Sequence, residues 1–345
     1  MTSKIASKYR RIAHPAAWKA ADLGNKSTIT FQLARRHLLA LDSAVQHARR
    51  TGWETEQITS IDFPLDAIAN DLAGIRTEVM HGRGIVILRG IPVERYQPED
   101  IALLFWGLGT HFGHAVSQSV MGDRLGHVTD VSGEHPNERG YRSRSELSMH
   151  TDSDDIVMML CLQNAKSGGK SRFSSSLAIH NEILANQPSL MEPLYKGFRY
   201  HWRGEHAPGE PPITEYRVPV FSERDGRVSC VYLRHFIEMA ADELGLSLSV
   251  VEVAALDAFD ELANREEFCF ETFLEPGEAF LINNYTVLHS RTEFEDHADS
   301  RRKRHLLRLW IKASDGRPVV DSVRRYYRDD GIDGRNATDT LYKRP

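Results

Sequence analysis

The chain has 345 residues, enough for one large domain or two small ones, and its 41% hydrophobic content supplies a sizeable core. Its 43 basic and 48 acidic residues, for a net charge of −5, are mixed along the chain. There is no basic stripe of the kind a phosphate backbone requires, so nucleic acid is not an expected partner. The first thirty residues carry Lys4, Lys8, Arg10 and Arg11 but no apolar core of a leader, and runs such as GIVIL are too short to span a bilayer. The expectation is therefore a cytoplasmic chain with no membrane partner, and its oligomeric state is left open.

In chain order, residues 31 to 51 and 64 to 81 space their apolar residues three to four apart with charges between, which predicts two amphipathic helices. GRGIVILRG, residues 82 to 90, predicts a buried strand closed by glycine at both ends. QPEDIALLFWGLGTHFG predicts a helix with acids in its first turn. From about residue 145 the pattern changes to many short strand candidates: IVMMLCLQNA, GFRYHWRG, RVPVF, RVSCVYL, FCFETF, GEAFLINNYTVLHS and RHLLRLWIKAS. Helices at roughly 176 to 194 and 247 to 264 interrupt them. Many short strands joined by Gly and Pro turns predict a sandwich or jelly roll, so the fold class is α+β, a β-rich core dressed by helices. The expected plan is one domain: a helical layer over 1–81, a jelly-roll core with helical insertions over 82–313, and a polar, aperiodic extension over 314–345 read as peripheral.

The chemistry-bearing stretch is SELSMHTDSDD, residues 145 to 155. On a strand, His150 and Asp152 stand two positions apart on one face, about 6.7 Å between Cα atoms, so both can reach one metal ion. An imidazole and a carboxylate suit a borderline divalent ion, and two histidines with one carboxylate on one side of it leave positions for substrate and O2. Turn chemistry is the alternative, because Asp152, Ser153, Asp154 and Asp155 can cap a turn or a helix start. His289, near the end of GEAFLINNYTVLHS, is the candidate second histidine. Arg304 and Arg308 in RRKRHLLRLWIKAS share a strand face about 13 Å apart, and a guanidinium in a β-walled pocket suits a carboxylate.

These residues together resemble the iron(II)- and 2-oxoglutarate-dependent dioxygenases of the taurine dioxygenase (TauD/TfdA) family, with the clavaminate-synthase-like branch nearest in pattern. The resemblance rests on HTDSDDIVMMLCLQNAKSGGKSRFSSSLAIHNEIL, LHSRTEFEDHADSRRKRHLLRLWIK and GIVILRGIPVERYQPEDIALLFWGLGTHFG, and runs from about 82 to 313. It implies a double-stranded β-helix of cupin type, with Fe(II) held by His150, Asp152 and His289 and with 2-oxoglutarate and O2 as cosubstrates. It also implies Arg304, assisted by Ser171 after the GG of SGGKS, as the partner of the distal carboxylate of 2-oxoglutarate. Arg308 matches an arginine that faces the primary substrate in some members, with a structural ion pair as its alternative. Gln118 and Arg234 are further substrate-facing candidates, against a solvated loop residue and a helix cap respectively.

The implied reaction oxidises an unactivated C–H bond of a small molecule, amino-acid-derived or secondary-metabolic, with release of succinate and CO2. Retention of Asp152 favours hydroxylation over halogenation, because halogenating relatives replace that carboxylate with a small residue. Desaturation, cyclisation and epimerisation use the same residues and stay open. So does a cupin-like metal-dependent isomerase or hydrolase working without 2-oxoglutarate, which would have no use for Arg304; a silent binding module would be expected to have lost a ligand. His201, Arg203 and His206 suggest a second metal site or, alternatively, a loop broken by Pro208, Gly209, Pro211 and Pro212. His111 and His114 are read as local packing, and the scattered Cys161, Cys230 and Cys269 as reduced core residues. The loops at 114 to 145 and 203 to 216 are expected to decide the substrate.

Overall fold

The computed structural model describes residues 8–131, 143–207 and 209–334. Two sheets face each other. The larger runs Thr30–Gln32, Ile85–Arg89, Glu278–Asn283, Ile156–Gln163 and His305–Lys312, and both Gly126–Thr129 and His114–Ala115 add to the far side of His305–Lys312. The smaller runs Cys269–Thr272, Ser171–Ser175, Val287–Arg291 and Leu147–His150. From residue 147 the strands alternate between sheets: 147–150 in the smaller, 156–163 in the larger, 171–175 in the smaller, 278–283 in the larger, 287–291 in the smaller, 305–312 in the larger. That winding is a double-stranded β-helix.

The two-residue side-chain period of a strand explains the layers. In Ile156–Gln163, Ile156, Met158 and Leu160 face a helical layer, while Val157, Met159 and Cys161 face the space between the sheets. In His305–Lys312, Leu307, Leu309 and Ile311 go outward, and Leu306 and Trp310 inward. Phe173 and Phe280 meet edge to face between the sheets, ring centres 5.0 Å apart. Helices Arg35–Thr51, Ala69–His81 and Pro98–Thr110 cover the outside of the larger sheet, and Ser176–Asn186 and Val250–Asn264 that of the smaller. Ser249 starts the last of these with a reciprocal cap: its hydroxyl accepts from the Glu252 amide, while the Glu252 carboxylate accepts from the Ser249 amide at 3.0 Å.

Several expectations change. Residues 30–32 form a strand parallel to Ile85–Arg89, so the N-terminal segment adds to the sheet as well as to the helical layer. GFRYHWRG forms only isolated bridges, at Phe198 with Val218 and His201 with Ile213. RVPVF enters a strand only at Phe221, and residues 234–243 form a helix that periodicity did not mark. The extension is not peripheral where it is described: Val323 and Tyr327 are buried in the core. Residues 132–142 of the expected substrate loop, Pro208 and the last eleven residues lie outside the described residues. Among the described residues, no helix is long and apolar enough to cross a membrane.

Candidate active site

The smaller sheet positions the two histidines. Leu147–His150 and Val287–Arg291 pair antiparallel with His150 directly opposite His289, and their imidazole centres stand 4.3 Å apart. The strand ends at His150, so Asp152 reaches the same place from a turn and not from the next strand position. Asn284, in the NNY turn, shapes that turn. Its side-chain oxygen accepts from the Asp152 amide at 2.8 Å, and its nitrogen donates to the carbonyls of Asp152 and Asp154 at 2.9 and 3.0 Å. Asp154 adopts a left-handed φ of 64° and turns the chain toward the next strand. One ligand atom each from His150, Asp152 and His289 then lies within 4.8 Å of the others.

The donor chemistry fits a divalent ion. His150 Nδ1 lies 2.8 Å from the Ser148 carbonyl; a carbonyl only accepts, so Nδ1 carries the hydrogen and Nε2 presents its lone pair. His289 is buried with neither ring nitrogen hydrogen-bonded, an arrangement that is costly unless another group completes it. Burial, then the neighbouring His150, pushes its pKa down to about 4, so the ring is neutral. Burial alone would raise the Asp152 pKa, but the Arg308 guanidinium and the two imidazoles hold it well below the usual carboxylate range. Two imidazoles and one carboxylate on one side of a shared point form the donor set of a non-haem iron(II) site.

Around Asp152 the inward face of His305–Lys312 does the holding. Trp310 Nε1 donates to Asp152 Oδ2 at 2.8 Å, and Arg308 Nη1 lies 3.3 Å from the same oxygen. Arg308 is 2% exposed. Its Nε donates to Gln118 Oε1 at 2.6 Å, while Gln118 Nε2 donates to the carbonyls of Arg308 and Arg124 at 2.9 and 2.7 Å. Gln118 is thus engaged in holding Arg308 and is not displayed to a substrate. Gly126 makes room for it, since a Cβ there would sit 2.7 Å from Gln118 Oε1.

Arg304 lies at the other end of the interior, 6% exposed, just before the same strand. Burial lowers its pKa to about 10, and among the described residues no carboxylate forms an ion pair with its guanidinium. The group lies 5.2 Å over the Phe294 ring. The glycine pair of SGGKS lets it in: Gly169 has φ +75°, and a Cβ on it would meet Arg304 Nε at 3.2 Å. Ser171 is buried and, two positions from Phe173, shares its inward face. Arg291, two positions beyond His289, also turns inward and lies 4.6 Å over the Phe294 ring.

The cavity beside Asp152 is small, about 70 Å³, and its floor is formed by Thr151, Asp152, Ser153 and Trp310. His201 lines it, with Nδ1 accepting from the Arg203 amide at 2.7 Å. Among the described residues, the His150, Asp152 and His289 cluster is the metal-ligand grouping found, so His201, Arg203 and His206 form no second one. Arg234 is corrected from a substrate contact to a structural residue, because its guanidinium is held by Glu238, Asp257 and Asp260 at 2.7 to 2.8 Å. His111 bonds the Phe63 carbonyl at 2.7 Å and His114 is exposed. Trp310, Asn284 and Arg291 were not singled out from sequence; the inward phase of their strands marks Trp310 and Arg291, whereas Asn284 carried no signal beyond a turn.

A winding of this kind with such a donor set defines an iron(II)- and 2-oxoglutarate-dependent dioxygenase. The family model described as "Taurine catabolism dioxygenase TauD, TfdA family" matches residues 45–310, and the chain belongs to that family. It is similar to "FR-33289 synthase" of Streptomyces rubellomurinus, 33% identical over 317 residues, covering 89% of this chain and 92% of the relative. A "Taurine hydroxylase-like protein" of Stachybotrys chartarum is 26% identical over 306 residues, covering 85% and 77%. Among solved structures, asparagine oxygenase in complex with Fe(II), 3-hydroxyasparagine and succinate superposes with a TM-score of 0.60 at 17% identity, covering 88% of this chain and 98% of that one. The non-haem iron oxygenase OrfP in complex with Fe, succinate and (3S)-hydroxy-L-Arg does so with a TM-score of 0.61 at 13% identity, covering 91% and 99%.

Proposed function

We propose that His150, Asp152 and His289 hold iron(II), that Arg304 with Ser171 holds the distal carboxylate of 2-oxoglutarate, and that the chain hydroxylates an aliphatic C–H bond of an amino-acid-derived small molecule. The observation that carries the cosubstrate assignment is the Arg304 guanidinium, buried and without a carboxylate partner among the described residues. A buried charge left unpaired is strongly unfavourable, so this one calls for an anionic ligand. A metal-dependent hydrolase or isomerase without 2-oxoglutarate would leave it unsatisfied. Iron(II) bound with 2-oxoglutarate supplies activation of O2 and removal of hydrogen from an unactivated carbon, with succinate and CO2 released.

The protein's own work is positioning. Trp310 and Arg308 hold the Asp152 carboxylate through Oδ2, Asn284 holds its backbone, and the Ser148 carbonyl holds the His150 tautomer. The cavity floor of Thr151 and Ser153 places the substrate carbon beside Asp152 and displaces water. The hydroxylated amino acids present in the asparagine oxygenase and OrfP structures support the substrate class.

The test is succinate formation from 2-oxoglutarate with iron(II), ascorbate and O2, first alone and then across a metabolite panel that includes amino acids. Labelled O2 should appear in the product and in succinate. A protein that bound no iron(II) and formed no succinate with any panel member would refute the reading, and turnover without 2-oxoglutarate would favour the hydrolase alternative.

A further inference from the structure

The block shared with the family ends at residue 310, yet the cavity beside Asp152 is also walled by Tyr326, Tyr327, Arg328, Gly331 and Ile332. Those positions lie outside the common block. The segment is held from within and from both sides. Helix Asp321–Tyr327 is anchored by buried Val323 and Tyr327, and Arg328 then takes a left-handed φ of 62°, which sharply redirects the chain. On one flank it joins the loop that carries Gln118: the Ser117 amide donates to the Asp330 carbonyl at 3.0 Å and the Ile332 amide to the Ser117 carbonyl at 3.1 Å.

On the other flank it grips the 199–216 region through rings and guanidinium groups. Tyr326 stacks on Trp202, centres 5.2 Å apart and planes 30° apart, and the Arg328 guanidinium lies 4.7 Å over the same indole. Arg325 lies 4.0 Å over the Tyr216 ring. Arg328 also pairs with Asp333 at 2.8 Å and with Glu210 at 4.0 Å. One side chain therefore ties this segment, a strap over residues 326–332, to the 199–216 region by stacking and by charge, a geometry suited to the flat guanidinium of arginine and not to the point charge of lysine.

We propose that residues 326–332 form, with Trp202, the substrate-selecting wall of the active site, Trp202 and Tyr326 supplying its aromatic face and Arg328 locking it. Phe236 and Ile332 extend that wall. The floor carries the polar Thr151, Asp152 and Ser153 beside the Trp310 indole. The substrate class that fits is a small molecule with an apolar flank laid on the wall and its reacting carbon turned toward the floor. This rests on the assignment of the metal and cosubstrate residues made above.

The test uses Co(II) as a spectroscopic stand-in for iron(II) in the full-length protein, with Trp202→Ala, Arg328→Ala and Arg328→Lys variants checked for folding by circular dichroism. Co(II) absorption in the wild type tests the metal site itself; its absence would refute that site and leave the strap geometry intact. With Co(II) bound, release to a chelator is expected to be at least severalfold faster in Trp202→Ala and Arg328→Ala than in the wild type, with Arg328→Lys closer to Ala. For the panel member that best stimulates wild-type succinate formation, KM is expected to rise about tenfold or more in Trp202→Ala while the 2-oxoglutarate KM moves by no more than about twofold. Folded variants with unchanged Co(II) release and an unchanged substrate KM overturn the proposal, as does an equal rise of both KM values.

Discussion

Replacing Asn284 by alanine tests how the turn that presents Asp152 is held. The side chain is fully buried and satisfies three backbone groups, the Asp152 amide and the carbonyls of Asp152 and Asp154, at 2.8 to 3.0 Å. Alanine leaves all three without that partner in a place water reaches poorly. At about 1 kcal/mol for each buried group stranded, the loss of stability is about 3 kcal/mol. A domain of ordinary stability, about 5–15 kcal/mol, stays folded after that loss. The site suffers more than the fold, because the Asp152 backbone is no longer pinned opposite the His150 and His289 pair. Groups that orient a metal ligand are worth about 10–100-fold in affinity, so Asn284→Ala should weaken Co(II) or iron(II) binding by that factor. Urea denaturation gives the first quantity and metal titration the second. Metal affinity within about twofold of wild type in a measurably destabilised protein would refute the argument that Asn284 positions Asp152.

Trp310→Phe keeps an aromatic ring but removes the five-membered half of the buried indole together with the donor at 2.8 Å from Asp152 Oδ2; the lost bond and the lost packing should cost at least about 1–2 kcal/mol of stability and weaken metal binding about tenfold, read by the same two titrations. Asp152→Ala should abolish both metal binding and succinate formation, and a variant with full activity would remove Asp152 from the ligand set. Arg304→Ala should raise the 2-oxoglutarate KM steeply while metal affinity changes little, and Arg304→Lys should recover only part of the loss, since the ammonium lacks the guanidinium's paired donors; an unchanged KM would place the anchor elsewhere. Burial lowers the pKa of His180 to about 4, and burial with the His127 neighbour does the same for His305. Both histidines then bind fewer protons folded than unfolded, so stability is full above about pH 6.5 and falls as pH drops toward about 4. Urea midpoints at about pH 7.5 and about pH 5 should show the fall, shallower in His180→Gln; an identical slope would exclude His180 as a contributor.

Legibility in the sequence followed the range of the interaction. The strand over 156–163 and the helix found at 250–264 are visible because period acts over a few residues, whereas GEAFLINNYTVLHS, read as one strand with a turn-like NNY, is two strands placed in different sheets. The strand was expected to carry Asp152 and it stops at His150, because the turn beyond it is made by Asn284, remote in the chain. Arg234 resembled a pocket residue until Asp257 and Asp260, more than twenty positions later, were found against it. Gln118 lies where a substrate contact was expected, but its amide is consumed by Arg308. The extension read as peripheral because a two-turn helix such as 321–327 is too short to show a period.

By itself the sequence determined what depends on residue type and short spacing: an α+β chain of short strands, a His-x-Asp pair, a distant histidine, two arginines four positions apart, and the family pattern that joins them. Tertiary structure alone decided which groups meet. It set His150 opposite His289 through strand register, brought Trp310, Arg308 and Asn284 onto Asp152, withdrew Arg234 from the cavity, and turned the tail into one of its walls. The physical reason is that hydrogen bonds, ion pairs and ring contacts act over a few ångströms in space, and separation along the chain carries no record of them until the sheets have closed.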